Sequence, residues 1–171
     1  MKLKTKELIL FSLLGATMFV SKLITEALPN IHLLGLFIVA YTVVFRAKAL
    51  IPIYIFVFLT GIYGGFTFWW VPYLYIWSIL WLAVMLLPKK MPIKIATPVY
   101  MTVSGLFGLL YGVLYAPAQA LLFGYNLDKT LAWIASGFYF DVIHGISNFF
   151  VAALTPALVA VLKRGLKSIK Q

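Results

Sequence analysis

The chain has 171 residues, of which 64% are hydrophobic and only 11% charged, with a formal net charge of +10. A water-soluble domain carries roughly 45–50% apolar residues and about a quarter charged ones, so a soluble globule is excluded and lipid is the solvent that suits this composition. There is no cysteine, which removes disulfides and cysteine–metal sites and leaves the redox compartment open.

A mean hydropathy of +1.04 points to an all-α integral membrane protein. At this length a single domain, residues 1–171, is expected. Six apolar stretches of near-spanning length with short connections use up almost the whole chain. The first runs from about Glu7 to Leu28 and ends at Pro29. It is too long for the apolar region of a signal peptide and is read as a span. The second runs from about Ile31 to Phe45 and the third from Ala49 to Tyr63, ending at Gly64-Gly65. Phe66 to Pro72, with Trp69 and Trp70, reads as an outer loop at headgroup level. The fourth span covers about Tyr73 to Leu87 and stops at Pro88-Lys89-Lys90. The fifth covers about Ile95 to Phe123, with bends expected at Pro98 and Pro117. After a polar outer loop, Gly124 to Thr130, the sixth covers about Ala132 to Leu162. Its length exceeds the bilayer, so its first turns are expected to form a separate outer piece.

The charges follow this division. Lys2, Lys4 and Lys6 precede the first span, and Arg46 and Lys48 separate the second from the third. Lys89, Lys90 and Lys94 separate the fourth from the fifth, and Lys163, Arg164, Lys167 and Lys170 close the chain. The alternate connections hold only Lys129. Basic residues at every other connection are the positive-inside pattern, which puts both termini in the cytoplasm. The net charge is therefore assigned to topology and to anionic headgroups, not to nucleic acid.

Polar residues inside lipid are costly and need a reason. On a helix, Gly137, Asp141, His144 and Asn148 fall within a stripe about 60° wide, continued by Thr155. Two readings fit. Asp141 and His144 line a ligand site, or they clamp neighbouring helices together; Asn148 is read as structural. Gly105, Gly108, Gly112, Ala116 and Gln119 form a face of small residues suited to close helix packing, with Gln119 toward the outer end. Ser12 and Ala16, four apart beside Gly15, form another. Lys22 and Glu26 are spaced to pair. The aromatic residues crowd the outer side: Trp69, Trp70, Tyr73, Tyr75, Trp77 and Trp81. With His32, Asn126 and Asp141 nearby, they suit an outward pocket for a flat ring system as well as an interfacial belt. Two histidines and four acids, mostly far apart in sequence, make no metal constellation, and no nucleophile motif or phosphate loop is present. No enzymatic activity, metal or cofactor is expected.

These features resemble the substrate-binding S components of energy-coupling factor transporters, which import vitamins in bacteria. The resemblance rests on the six spans, the basic N-terminus and the small residues of the first span. It also rests on Gly-Leu-Leu-Tyr-Gly at 108–112 and Phe-Asp-Val-Ile-His-Gly-Ile-Ser-Asn at 140–148. It implies a multi-pass protein of a bacterial plasma membrane. It implies a vitamin-like, heteroaromatic ligand, contacted by Trp69, Trp70, Gln119, Asn126, Asp141 and His144. Ser12 and Ala16 stand where that family docks a transmembrane coupling subunit, itself joined to two ATP-binding subunits. A small proton- or ion-coupled carrier using Asp141 and His144, and a non-transporting membrane scaffold, are the alternatives.

Overall fold

The computed structural model describes residues 4–28 and 30–170, and side chains as far as residue 167. Lys2 and Pro29 lie outside the described residues. The chain is 83% helical, with no strand among the described residues. Four helical stretches are long and apolar enough to cross a membrane: Thr5–Ile24, Leu34–Gly64, Ile93–Phe123 and Leu127–Lys167. A shorter apolar helical stretch, Tyr73–Met85, is the fifth. Six separate full-length spans are thus not what the structure gives. The expected second and fourth spans are short. Helix α2 (Leu34–Phe45) has 12 residues and α4 (Ile76–Met85) has 10. At 1.5 Å per residue they measure about 18 and about 15 Å, against a hydrocarbon core near 30 Å.

Helix α2 is buried all round, with every residue from Leu34 to Thr42 enclosed, the pattern of a helix at the centre of a bundle. It is surrounded by α1 (Thr5–Ile24), α4, α5 (Ile93–Leu109), α7 (Leu127–Val151) and α8 (Thr155–Lys170). At Arg46 the backbone takes φ 53°, a left-handed conformation rare outside glycine. The chain doubles back there. Phe11 of α1 packs on Phe45, and Tyr41 donates to the Leu14 carbonyl at 3.3 Å, so α1 and α2 run in opposite directions. Helix α3 (Leu50–Gly64) instead keeps step with α1. Glu7 pairs with Lys48, Gly15 abuts Pro52 and Ile55, and Phe19 meets Tyr63. The reversal is tied down from α4, where Arg46 Nη2 donates to the Met85 carbonyl at 2.7 Å and Trp81 Nε1 donates to the Arg46 carbonyl at 3.1 Å.

The remaining breaks add to expectation. The fifth stretch is interrupted at Leu110, between α5 and α6 (Tyr111–Phe123), and Pro98 and Pro117, where bends are expected, lie inside helices. The last stretch has no separate outer piece. Helix α7 is one element of 25 residues, and its interruption comes at the other end, at the 3-10 turn Ala152–Leu154. Pro156 follows and has no N–H to offer the Ala152 carbonyl, which loosens the helix there.

Helices α5 and α7 form the closest pair. A Cβ added at Gly108 would lie 2.7 Å from the His144 carbonyl oxygen, and one at Gly145 would lie 3.1 Å from Leu109. Glycine on both sides lets the two backbones touch, which substitutes for a hydrophobic drive that lipid does not supply.

Candidate functional site

The polar stripe of α7 is turned inward: Asp141, His144, Gly145 and Asn148 are its buried residues. Asp141 lies against the break at Leu110. A helix that starts afresh leaves its first N–H groups without partners. Leu110 offers α6 no side-chain cap. Asp141 supplies it from the neighbouring helix: its Oδ1 accepts from the Gly112 N–H at 3.1 Å. Gly112 is required here, since a Cβ would lie 2.3 Å from Asp141 Oδ2.

Beside this contact, at the end of the molecule away from the lysine clusters, lies a cleft of about 400 Å³. Trp69, Tyr111, Tyr115, Trp133, Phe68 and Phe123 supply its aromatic surface, and Gly137, Gln119 and Asp141 also line it. The rings hold one another. Tyr115 stacks on Trp133 with centroids 5.8 Å apart and planes at 21°, and Phe68 meets Phe123 edge to face at 5.5 Å. The Tyr115 hydroxyl donates to the Trp69 carbonyl at 2.8 Å, tying the 66–70 segment to α6. The Gln119 side chain bonds to no protein group among the described residues, and Asp141 uses only Oδ1. The cleft therefore offers broad π-faces, one neutral amide and one carboxylate oxygen.

Of the residues singled out from sequence, Trp69, Gln119 and Asp141 come together in this cleft. His144 lies deeper, with its ring 4.9 Å from that of Tyr111 and 4.6 Å from that of His32. His144 Nε2 and His32 Nδ1 are both buried and unpartnered. Trp70 is not at the cleft. Its Nε1 donates to the Val57 carbonyl at 2.8 Å and its ring packs on Phe66, which binds the outer loop to α3. Asn126 is not there either. It caps α7, its side chain accepting from the Lys129 N–H at 3.0 Å, a short-range role typical of asparagine at a helix start. Lys22 and Glu26 pair at 3.8 Å. Of these three neighbours α1 buries Gly15, not Ser12 or Ala16; Ser12 is exposed and Ala16 half-exposed.

Sequence reading missed Tyr111, Tyr115 and Trp133. A signal was present: Tyr111, Tyr115 and Gln119 recur every four residues, one stripe along from the small residues of the same stretch. Among the described residues no group of three or more histidines and acids is placed to hold a metal ion. Comparison with protein-family models, with curated proteins and with solved structures gave no match.

Proposed function

We propose that this protein is a membrane-embedded receptor for a small, flat, heteroaromatic micronutrient, acting as the substrate-binding subunit of an energy-coupled importer. The observation that carries the reading is the cleft at the non-basic end, aromatic on most sides and furnished with the free polar atoms of Gln119 and Asp141. Rigid rings stack on a planar ligand at little cost in side-chain entropy, and one or two polar groups fix its orientation. A multiply anionic ligand fits poorly, because the residues that line the cleft include a carboxyl, Asp141, and no cationic side chain. In this reading the reversal at Arg46 makes α2 and α3 two short crossings, which gives six in all. The chain carries no phosphate-binding loop, so accumulation requires separate ATP-hydrolysing subunits and a coupling subunit. The exposed side of α1 at Ser12 and Ala16 is the docking face proposed for them.

Melting of the detergent-solubilised protein against a panel of flavins, pterins, corrinoids, deazaguanines and pyridoxine-like compounds tests this. One ring compound should raise the melting temperature, and Gln119→Ala and Trp133→Ala should abolish the shift. A response confined to inorganic ions defeats the reading. The adjacent rings of His32 and His144, each with a buried, unpartnered nitrogen, favour one rival, a proton-coupled carrier. Uptake by the chain alone that collapses with an uncoupler, at constant ATP, would establish that rival.

A further inference from the structure

A second cavity, of about 560 Å³, opens at the opposite, basic end between α2, α5 and α8. Lys89, Lys90 and Lys163 line it, together with Tyr100, Val43 and Val159. None of the three lysines makes an ion pair among the described residues. The chain's four acids do not answer them. Glu7 is taken by Lys48, Glu26 pairs with Lys22, Asp128 starts α7 and Asp141 belongs to the outer cleft. Helix α5 begins at the cavity. Pro92, its N-cap, offers no side-chain cap, and the Ile93 N–H, at the positive end of the helix dipole, bonds to no protein group among the described residues. Tyr100 is 7% exposed, and its hydroxyl makes no hydrogen bond to protein among the described residues.

The occupant must therefore be an anion that accepts several hydrogen bonds. The walls say more. Val43, Val159 and Ile93 make one side apolar, and Ile93 stands 66% exposed on the rim. A soluble anion gains nothing from such a rim, whereas a lipid lays its glycerol backbone and first methylenes there. The cavity also sits at the ends of membrane-crossing helices, where headgroups are found, and basic pockets between helices are a recurrent form of headgroup site. We infer that this cavity binds the phosphate of an anionic phospholipid, held by Lys89, Lys90 and Lys163, in the leaflet facing the basic end. The inference is independent of the outer cleft and of what it binds.

Native mass spectrometry of the full chain, with phosphatidylglycerol or phosphatidylcholine titrated into the detergent, tests it. Phosphatidylglycerol should remain bound and phosphatidylcholine should not. K89Q/K90Q/K163Q should weaken phosphatidylglycerol binding about tenfold or more, given the attraction of each lysine to an anionic headgroup. K4Q/K22Q/K129Q removes the same charge from α1 and α7, which do not line the cavity, and should leave binding within about twofold, since exposed charges far from the site are screened. Equal loss in both triple variants overturns the site, as does equal retention of the two lipids. Inorganic phosphate that displaces the lipid at millimolar concentration reassigns the cavity to a free anion and overturns the lipid. Should the first triple variant not purify, K163Q alone carries the test, and unchanged phosphatidylglycerol binding by it overturns the proposal.

Discussion

His32 precedes α2 and is enclosed by Trp77 of α4 and His144 of α7. Burial lowers its pKa from 6.5 to about 4, with a smaller push from Lys22. The folded protein therefore holds this ring neutral where an unfolded chain would begin to protonate it. Stability from this group is present above pH 6.5 and is lost as pH falls from there toward 4, by up to about 3 kcal/mol. Denaturation midpoints measured in detergent between pH 4 and 7 should fall on acidification, and His32→Phe should flatten that dependence. An equally steep profile in the variant would show that other groups set it. The pairing of His32 with His144 was not legible in the sequence, because residues 112 positions apart meet only once α2 and α7 are packed. The inward turn of Asp141 was legible, since an acid among aromatic and aliphatic neighbours has no stable place facing lipid.

At the scale of elements, close packing was legible in the spacing of Gly105, Gly108 and Gly112, and the structure gives α7 as the partner of the first two. Gly108→Val places a side chain against the His144 carbonyl, where even a Cβ stands at 2.7 Å. It should separate the helices and cost several kcal/mol, as overpacking and lost backbone contact combine. Gly137 separates structure from binding, because a Cβ there meets nothing within 4 Å, yet the residue lines the cleft. Gly137→Leu should leave the melting temperature within a few degrees while weakening ligand binding at least tenfold, measured by the ligand-induced shift. A variant that melts early instead would place Gly137 in the packing. The interruptions were harder to read. Pro98 and Pro117 drew attention as sites of bends, but the break at Leu110 is held by a partner from another helix, the carboxylate that takes the Gly112 N–H. No local window of sequence contains both groups. The doubling back at Arg46 was legible as the basic connection between the second and third stretches; its φ of 53° and its ties to Met85 and Trp81 of α4 were not.

For the whole molecule, the arrangement of α1, α2 and α3 makes a topological prediction that length and hydropathy alone do not. If α2 and α3 are two crossings joined at Arg46, Lys48 lies at a membrane surface; were Leu34–Gly64 one straight span, Lys48 would lie near the middle of the bilayer. The absence of cysteine makes the test simple. Single replacements Lys48→Cys, Lys90→Cys and Asn126→Cys can each be labelled with a membrane-impermeant maleimide in right-side-out and inverted vesicles. Lys48 and Lys90 should label from one side and Asn126 from the other. Failure of Lys48→Cys to label from either side, while the others do, would restore a single span.

The hydrogen bond from Tyr115 to the Trp69 carbonyl bears on kinetics as well as shape. Helices α6 and α7 are joined by only three residues, Gly124 in a left-handed turn and Asn126 capping the next helix, so that rim of the cleft is stiff. The 66–70 segment opposite is tied to α3 through Trp70 and to α6 through the tyrosine hydroxyl, its latch on the cleft side. Tyr115→Phe keeps the stacked ring and releases the latch. Stopped-flow fluorescence of ligand binding should then show association and dissociation both faster by about an order of magnitude, with the dissociation constant little changed, because opening limits passage in both directions. A change in release alone would make the hydroxyl a ligand contact instead of a door.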